Sequence, residues 1–321
     1  MISCASTKQE APLWTDEYTI DQAFPKDKYI ARVGRAESKA ASKAFADAEL
    51  ALFFEHTVEA QTAATTVMKN ADGKTEIADR ELERSVMIKS SVDLFAVEHT
   101  DPWFDKKSKR YLACAYIERT EAWKFYEPKL LSAREEFFNI YNQAMAEKDL
   151  IKRIKLLESS KAPARNYDDY IFFSSALYDL GYKKYKGDLE ITGGIEKEIV
   201  SARLKATMQL QVTNDNDNRI YRKVSEILGG QGFIFSDKNP AYKVIVNVEP
   251  NKNVYSESIT ADPGISIYIT NGTETLLTYS KTVDRVTGFA AAEAFVNKKI
   301  YTALEEELDT SFPEAVKEIL K

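Results

Sequence analysis

The chain has 321 residues, 44% hydrophobic and 29% charged, with a formal net charge of −6; this length allows two domains, and the composition is globular rather than disordered. The acidic balance argues against nucleic acid as a partner, since phosphate binding needs a basic surface. Two cysteines in the whole chain exclude a disulfide framework, and no apolar run reaches the roughly 20 residues that a membrane-crossing helix needs.

In chain order, the first informative residue is Cys4. Ser3 and Ala5 flank it, Ile2 stands before them, and a polar stretch follows over 6–18. A small residue before a cysteine, with an apolar one before that, fits a relaxed lipoprotein cleavage site. Cys4 is therefore the expected lipid attachment and residues 1–23 the tether. The alternative is an ordinary exposed thiol. A multiply acylated cysteine is sufficient as a membrane anchor.

Alternation over 28–33 predicts a strand ending at Gly34. Ser38 is a fair N-cap for a helix over 39–56, whose small residues Ala41, Ala44 and Ala48 would let it lie close against a sheet. The Thr- and Val-rich stretch 57–68 reads as a strand, 70–73 as a turn and 77–92 as a helix. Two strands follow over 97–104 and 110–118, joined by a charged hairpin tip at 105–109.

Strand signals then vanish. Apolar spacing over 121–186 suggests three helices, with Pro163 breaking the series and Gly181 and Gly187 ending it. The aromatic residues of this stretch, Phe137, Phe138, Tyr141, Tyr167, Tyr170, Phe172, Phe173 and Tyr178, are better explained by packing than by a ligand cage. Gly193 and Gly194 mark a loop.

The last third predicts a strand over 203–212 and a polar turn at 214–218. Asn218 is the expected N-cap of a helix that stops at Gly229 and Gly230. Strands follow at 233–235 and 242–248. Asn271-Gly272 is a strong hairpin signal between 265–270 and 273–280. A long helix is expected from Gly288 onward. The fold class is α+β: an N-terminal α+β domain of lipoprotein type over 24–125, a helical connector over 126–190, and a C-terminal domain over 191–321 with an antiparallel-rich sheet and helices on one face.

Catalytic, cofactor and metal constellations are not found in the sequence. The two histidines, His56 and His99, lack metal-ligand spacing; His56 is more simply a partner for a helix C-terminus. Asp215 and Asp217 with Glu226 fall at the first, third and twelfth positions of a calcium loop, but Arg219 replaces an oxygen ligand and Ile220 the required glycine. A helix-capping turn is the simpler reading. Cys114, in the apolar run 112–116, reads as a buried free thiol. Asn271-Gly272-Thr273 formally fits a glycosylation acceptor, but the hairpin is sufficient to explain it.

The strand ending at Gly34, the Ala-rich helix after Ser38, and the return from Trp103 through 111–118 resemble the small lipoproteins of the twenty-kilodalton membrane-associated type. The strand, polar turn and amphipathic helix of the last third, with Gly229 to Gly232 leading into Phe233 and Tyr242 opening a strand, resemble the amino-terminal domain of TolB, the curli secretion lipoprotein and the middle domain of flagellar assembly protein T. These resemblances imply structural modules and carry no catalytic residue over. The expected function is that of a non-enzymatic protein anchored through Cys4 at the periplasmic face of the outer membrane, binding or scaffolding another envelope component, such as part of a surface or flagellar structure. The alternative is a carboxylate-based hydrolase acting on cell-wall or glycan substrate.

Overall fold

The computed structural model describes residues 10–66, 88 and 97–320. Cys4, the expected turn at 70–73 and, apart from helical Ile88, the expected helix over 77–92 lie outside them. The chain forms two compact units, 1–137 with 162–192, and 138–161 with 193–321. The architecture is α+β, with a helical middle and antiparallel-rich sheets.

In the first unit, folded structure begins before the first strand. A 3-10 turn at Leu13–Thr15 and α1 (Ile20–Ala23) are tied by the Thr19 hydroxyl, which donates to the Leu13 carbonyl at 2.5 Å. Strand β1 (Tyr29–Ala36) runs past Gly34, pairing antiparallel with β4 (Arg110–Glu118) until Ala36 faces Tyr111. The expected strand over 97–104 is two short pieces, β2 (Glu98–His99) and β3 (Trp103–Asp105), both on β4. Between them the Thr100 side chain accepts the Cys114 amide at 2.9 Å, and Pro102 has no N–H to give a ladder.

Helix α2 (Lys39–Thr66) starts as expected, with Ser38 Oγ accepting the Ala41 amide at 3.2 Å. It continues through the segment expected to be a strand. Leu50, Phe54 and Val58 recur every four residues and are fully buried, while the Thr57 hydroxyl bonds back to the Phe53 carbonyl at 2.8 Å. Burial on one helical face overrides the β-preference of Thr and Val. A Cβ on Gly34 would overlap the Ser42 carbonyl and the Ala46 amide. The glycine is thus the point where helix backbone meets strand backbone, not a strand terminator.

The helical middle consists of α3 (Arg119–Ala146), α4 (Leu150–Leu177), α5 (Asp179–Tyr185) and α6 (Asp188–Lys205). Helices α3, α4 and α6 each contribute residues to both units. Pro163 lies inside α4 rather than breaking it. The lost hydrogen bond is outweighed by buried Ile154, Leu157, Ala164, Tyr167 and Ile171 on either side. In the first unit Phe173 stacks between Phe54 and Tyr126, with ring centroids 4.5 and 4.7 Å apart, and the Trp123 ring lies directly on Gly181. Arg119 donates to the Ala176 and Leu177 carbonyls at 2.6 and 2.8 Å, a cation satisfying the end of α4. The connector's aromatic residues described here are packing residues, as expected.

In the second unit, Gly193 and Gly194 lie within α6 instead of a loop. Helix α6 runs to Lys205, so strand β5 (Met208–Thr213) begins later than position 203. Buried Ile195, Ile199 and Ala202 carry the helical spacing through this stretch. The crossover through α7 (Arg219–Gly230) makes β5 parallel to β6 (Tyr242–Glu249), as a helical connection requires. The rest of the sheet, in order β10-β9-β6-β5, is antiparallel, with β9 (Gly264–Thr270) and β10 (Thr275–Thr282) flanking the expected Asn271-Gly272 turn. Residues 233–235 give only a single bridge, Phe235 to Met208.

A second sheet was not expected: β7 (Lys252–Val254), β8 (Ser258–Ala261) and β11 (Val286–Phe289). Its last strand occupies Gly288, so the closing helix α8 (Glu293–Leu320) starts later than predicted. Val296, Ile300, Leu304, Leu308, Phe312 and Val316 form its buried stripe.

Candidate functional site

Cys4 lies outside the described residues. Cys114 is fully buried on β4. Burial pushes its thiol up to about 12, against the smaller opposing effects of the Arg32 amide and guanidinium. A thiol this reluctant to ionise behaves as a small apolar core residue.

His56 is not at a helix end, because α2 runs on to Thr66; it is exposed, and its Nδ1 lies 3.5 Å from the Glu59 carboxylate. His99 Nε2 lies 2.7 Å from Asp47 Oδ1. Each histidine has its own carboxylate. Among the described residues, no three His, Cys, Asp or Glu side chains gather as a metal ion needs.

The acidic turn caps a helix. Both Asp215 carboxylate oxygens accept backbone amides, from Ile220 at 3.0 Å and Tyr221 at 2.8 Å. Asp215, not Asn218, is thus the capping side chain; Asn218 sits in the left-handed region and makes no cap bond. Arg219 reaches away to Glu305, a two-pronged ion pair at 2.9 and 2.5 Å, and to Thr302 at 3.0 Å. Asn271 is likewise occupied. Its amide donates to Asp149 at 2.7 Å, and its oxygen accepts the Thr273 and Glu274 amides, both at 3.0 Å.

Two surface features were not read from the sequence. The first is a cleft of about 500 Å³ in the first unit, lined by Arg32, Glu49, Leu52, Phe53, His56, Thr57 and Ala60. The Arg32 guanidinium lies 4.0 Å from the Phe53 ring centroid, and one of its nitrogens donates to the Ala31 carbonyl at 2.7 Å. Burial lowers its pKa, against attraction from Cys114, Glu49 and Asp21. Strand β1 carries two arginines, Arg32 and Arg35, and nothing in its sequence marks Arg32 as the one that lines a cleft.

The second feature is an apolar end of the small sheet. Val254 pairs with Ile259, and Phe289 with Ser258, so Val254, Tyr255 and Phe289 share one end of the ladder. All three are exposed, Phe289 by 78%, as is Phe295 at the start of α8. Monomer surfaces carry isolated exposed apolar residues routinely; contiguous groups mark interaction sites.

No family model matches the chain, and no curated protein matches it. Among solved structures, it is similar to a secreted protein of the human pathogen Helicobacter pylori at 17% identity, covering 88% of this chain and 98% of that one, with a TM-score of 0.34. A minor lipoprotein from Acinetobacter baumannii matches at 12% identity over 36% of this chain and 92% of its own, with a TM-score of 0.26. A candidate lipoprotein from Caulobacter crescentus matches at 15% identity over 38% and 89%, with a TM-score of 0.22. No described helix is long and apolar enough to cross a membrane.

Proposed function

We propose that this chain is a lipid-anchored protein of the bacterial envelope that binds and positions another envelope component and is not an enzyme. The observation that carries the reading is Cys4, set between Ser3 and Ala5 and followed by a polar stretch. Because Leu13–Thr15 already form a 3-10 turn, this reading shortens the tether from 1–23 to the residues before Leu13. The eight residues 5–12 would reach about 16 Å if flexible, holding the first unit just off the membrane surface. We place it at the periplasmic face of the outer membrane.

In this reading the first unit is a module of the twenty-kilodalton lipoprotein type, supported by the Gly34 strand, the Ala-rich helix and the Trp103-led hairpin. The second unit is a binding module of the kind seen in TolB, the curli secretion lipoprotein and flagellar assembly protein T, supported by its exposed Val254, Tyr255 and Phe289. Detergent-phase partitioning of the precursor tests the anchor. Wild type should enter the detergent phase and carry an acyl mass on its Cys4 peptide, and Cys4→Ser should stay in the aqueous phase. Equal partitioning of the two would overturn the proposal.

A further inference from the structure

The cleft on α2, unlike the apolar end of the small sheet, contains a polar group that specifies a ligand. Arg32 projects from β1, half-buried, with its guanidinium against Phe53. Of its five N–H donors, the structure engages one nitrogen, on the neighbouring Ala31 carbonyl. Among the described residues no carboxylate lies within ion-pair distance of it, whereas Arg119, Arg134, Arg203, Arg219 and Arg285 each reach either a carboxylate or a set of backbone carbonyls. A cation held partly out of water with no carboxylate in contact with it is costly. Here it borders an open cleft of a size that holds small ligands.

We propose that this cleft binds a carboxylate that carries an apolar tail. The guanidinium offers a planar fork of donors that suits two oxygens of one carboxylate. Leu52, Phe53 and Ala60 give the tail an apolar wall, and Leu52 is 42% exposed until something covers it. Glu49 also lines the cleft. Its charge favours a singly charged head group and disfavours a phosphate dianion. The Arg32 fork fixes the head, and the α2 face between Leu52 and Ala60 receives the chain.

The test is calorimetric titration of the full chain carrying Cys4→Ser, with decanoate below its micelle-forming concentration, and with decanol and acetate as controls. Decanoate should bind at one site, about tenfold or more tighter than either control, because both the charged head and the tail contribute. Arg32→Gln should weaken decanoate about tenfold and leave decanol unchanged. Leu52→Glu, a change on an exposed helix position that does not threaten folding, should weaken decanoate as well, and it decides the matter if Arg32→Gln fails to fold. No decanoate binding at millimolar concentration, equal binding of decanol, or binding unaffected by both substitutions would overturn the proposal.

Discussion

The Tyr242 hydroxyl at the start of β6 donates to Asp149 at 2.9 Å, joining residues 93 positions apart, and in turn accepts the Ile151 amide at 3.0 Å. Asp149 is the residue just before α4, and it also accepts the Ile151 and Lys152 amides at 3.0 and 3.1 Å and the Asn271 side chain at 2.7 Å. One carboxylate therefore caps a helix, pins a strand and fixes a hairpin turn within the second unit. Tyr242→Phe removes a hydrogen bond to a charged group and leaves the Ile151 amide on Asp149 alone. It should cost about 1.5–3 kcal/mol, measured by urea unfolding. A loss indistinguishable from zero would show that the network is incidental.

The same carboxylate gives a pH dependence. Burial alone would raise the Asp149 pKa, but the donors from Asn271, the Lys152 amide, Tyr242 and the Ile151 amide outweigh it and hold the group below its ordinary value. A depressed folded pKa stabilises the protein above the unfolded value of about 3.9, and that stabilisation is lost as pH falls through the folded value. Asp149→Asn should therefore be less stable than wild type at pH 6, and the gap should narrow steadily below about pH 4. Thermal melts across that range check it; a gap that stays constant with pH is the contrary result.

Two glycines make opposite predictions. At Gly34 a methyl group would enter the Ser42 carbonyl and Ala46 amide, and neither backbone can yield without moving α2 off the sheet. Gly34→Ala should lose about 1–3 kcal/mol, the usual range for overpacking, or more. Gly193 lies inside α6, with nothing within 4 Å of an added methyl. Gly193→Ala should gain about 0.5–1 kcal/mol through helix propensity. The pair, measured in one urea series, separates a glycine kept for close approach from one that is not.

This contrast shows how much of the fold was readable beforehand. The Ser38 cap and the Asn271-Gly272 hairpin were each carried by local chemistry, and each is present; α2 does lie close to the sheet, but through Ser42 and Ala46, while Ala44 and Ala48 of the expected stripe are exposed. The misassignments came where local preference and tertiary burial disagree. Thr57 and Val58 favour strand until Val58 joins Leu50 and Phe54 on one buried helical stripe. Pro163, Gly193 and Gly194 favour interruption until the buried residues around them hold α4 and α6 together. The Arg32 cleft could not be read at all, since it forms only when β1 and α2 are brought side by side.

Cys114 makes a chemical prediction. With no exposure and a pKa pushed up to about 12, its thiolate is nearly absent at neutral pH and out of reach of reagents. In a Cys4→Ser background the native protein should show no thiol reactive with an aromatic disulfide reagent at pH 8, and one thiol on denaturation. A native thiol that reacts within minutes would mean that β4 opens far more readily than its buried neighbours Ala113 and Ala115 imply.

The acidic turn offers the last test, because its two readings separate cleanly. Asp215 holds the Ile220 and Tyr221 amides at the start of α7, and removing an N-cap carboxylate costs about 0.5–2 kcal/mol. Asp215→Ala should therefore lower the melting temperature by several degrees at any calcium concentration. Millimolar calcium should leave wild type unmoved, since Arg219 is paired with Glu305 rather than displaced from a ligand shell, and both Asp215 oxygens are already in use by the backbone. If calcium raised the wild-type melting temperature and not that of Asp215→Ala, the turn would be a cation site and the capping account would fail.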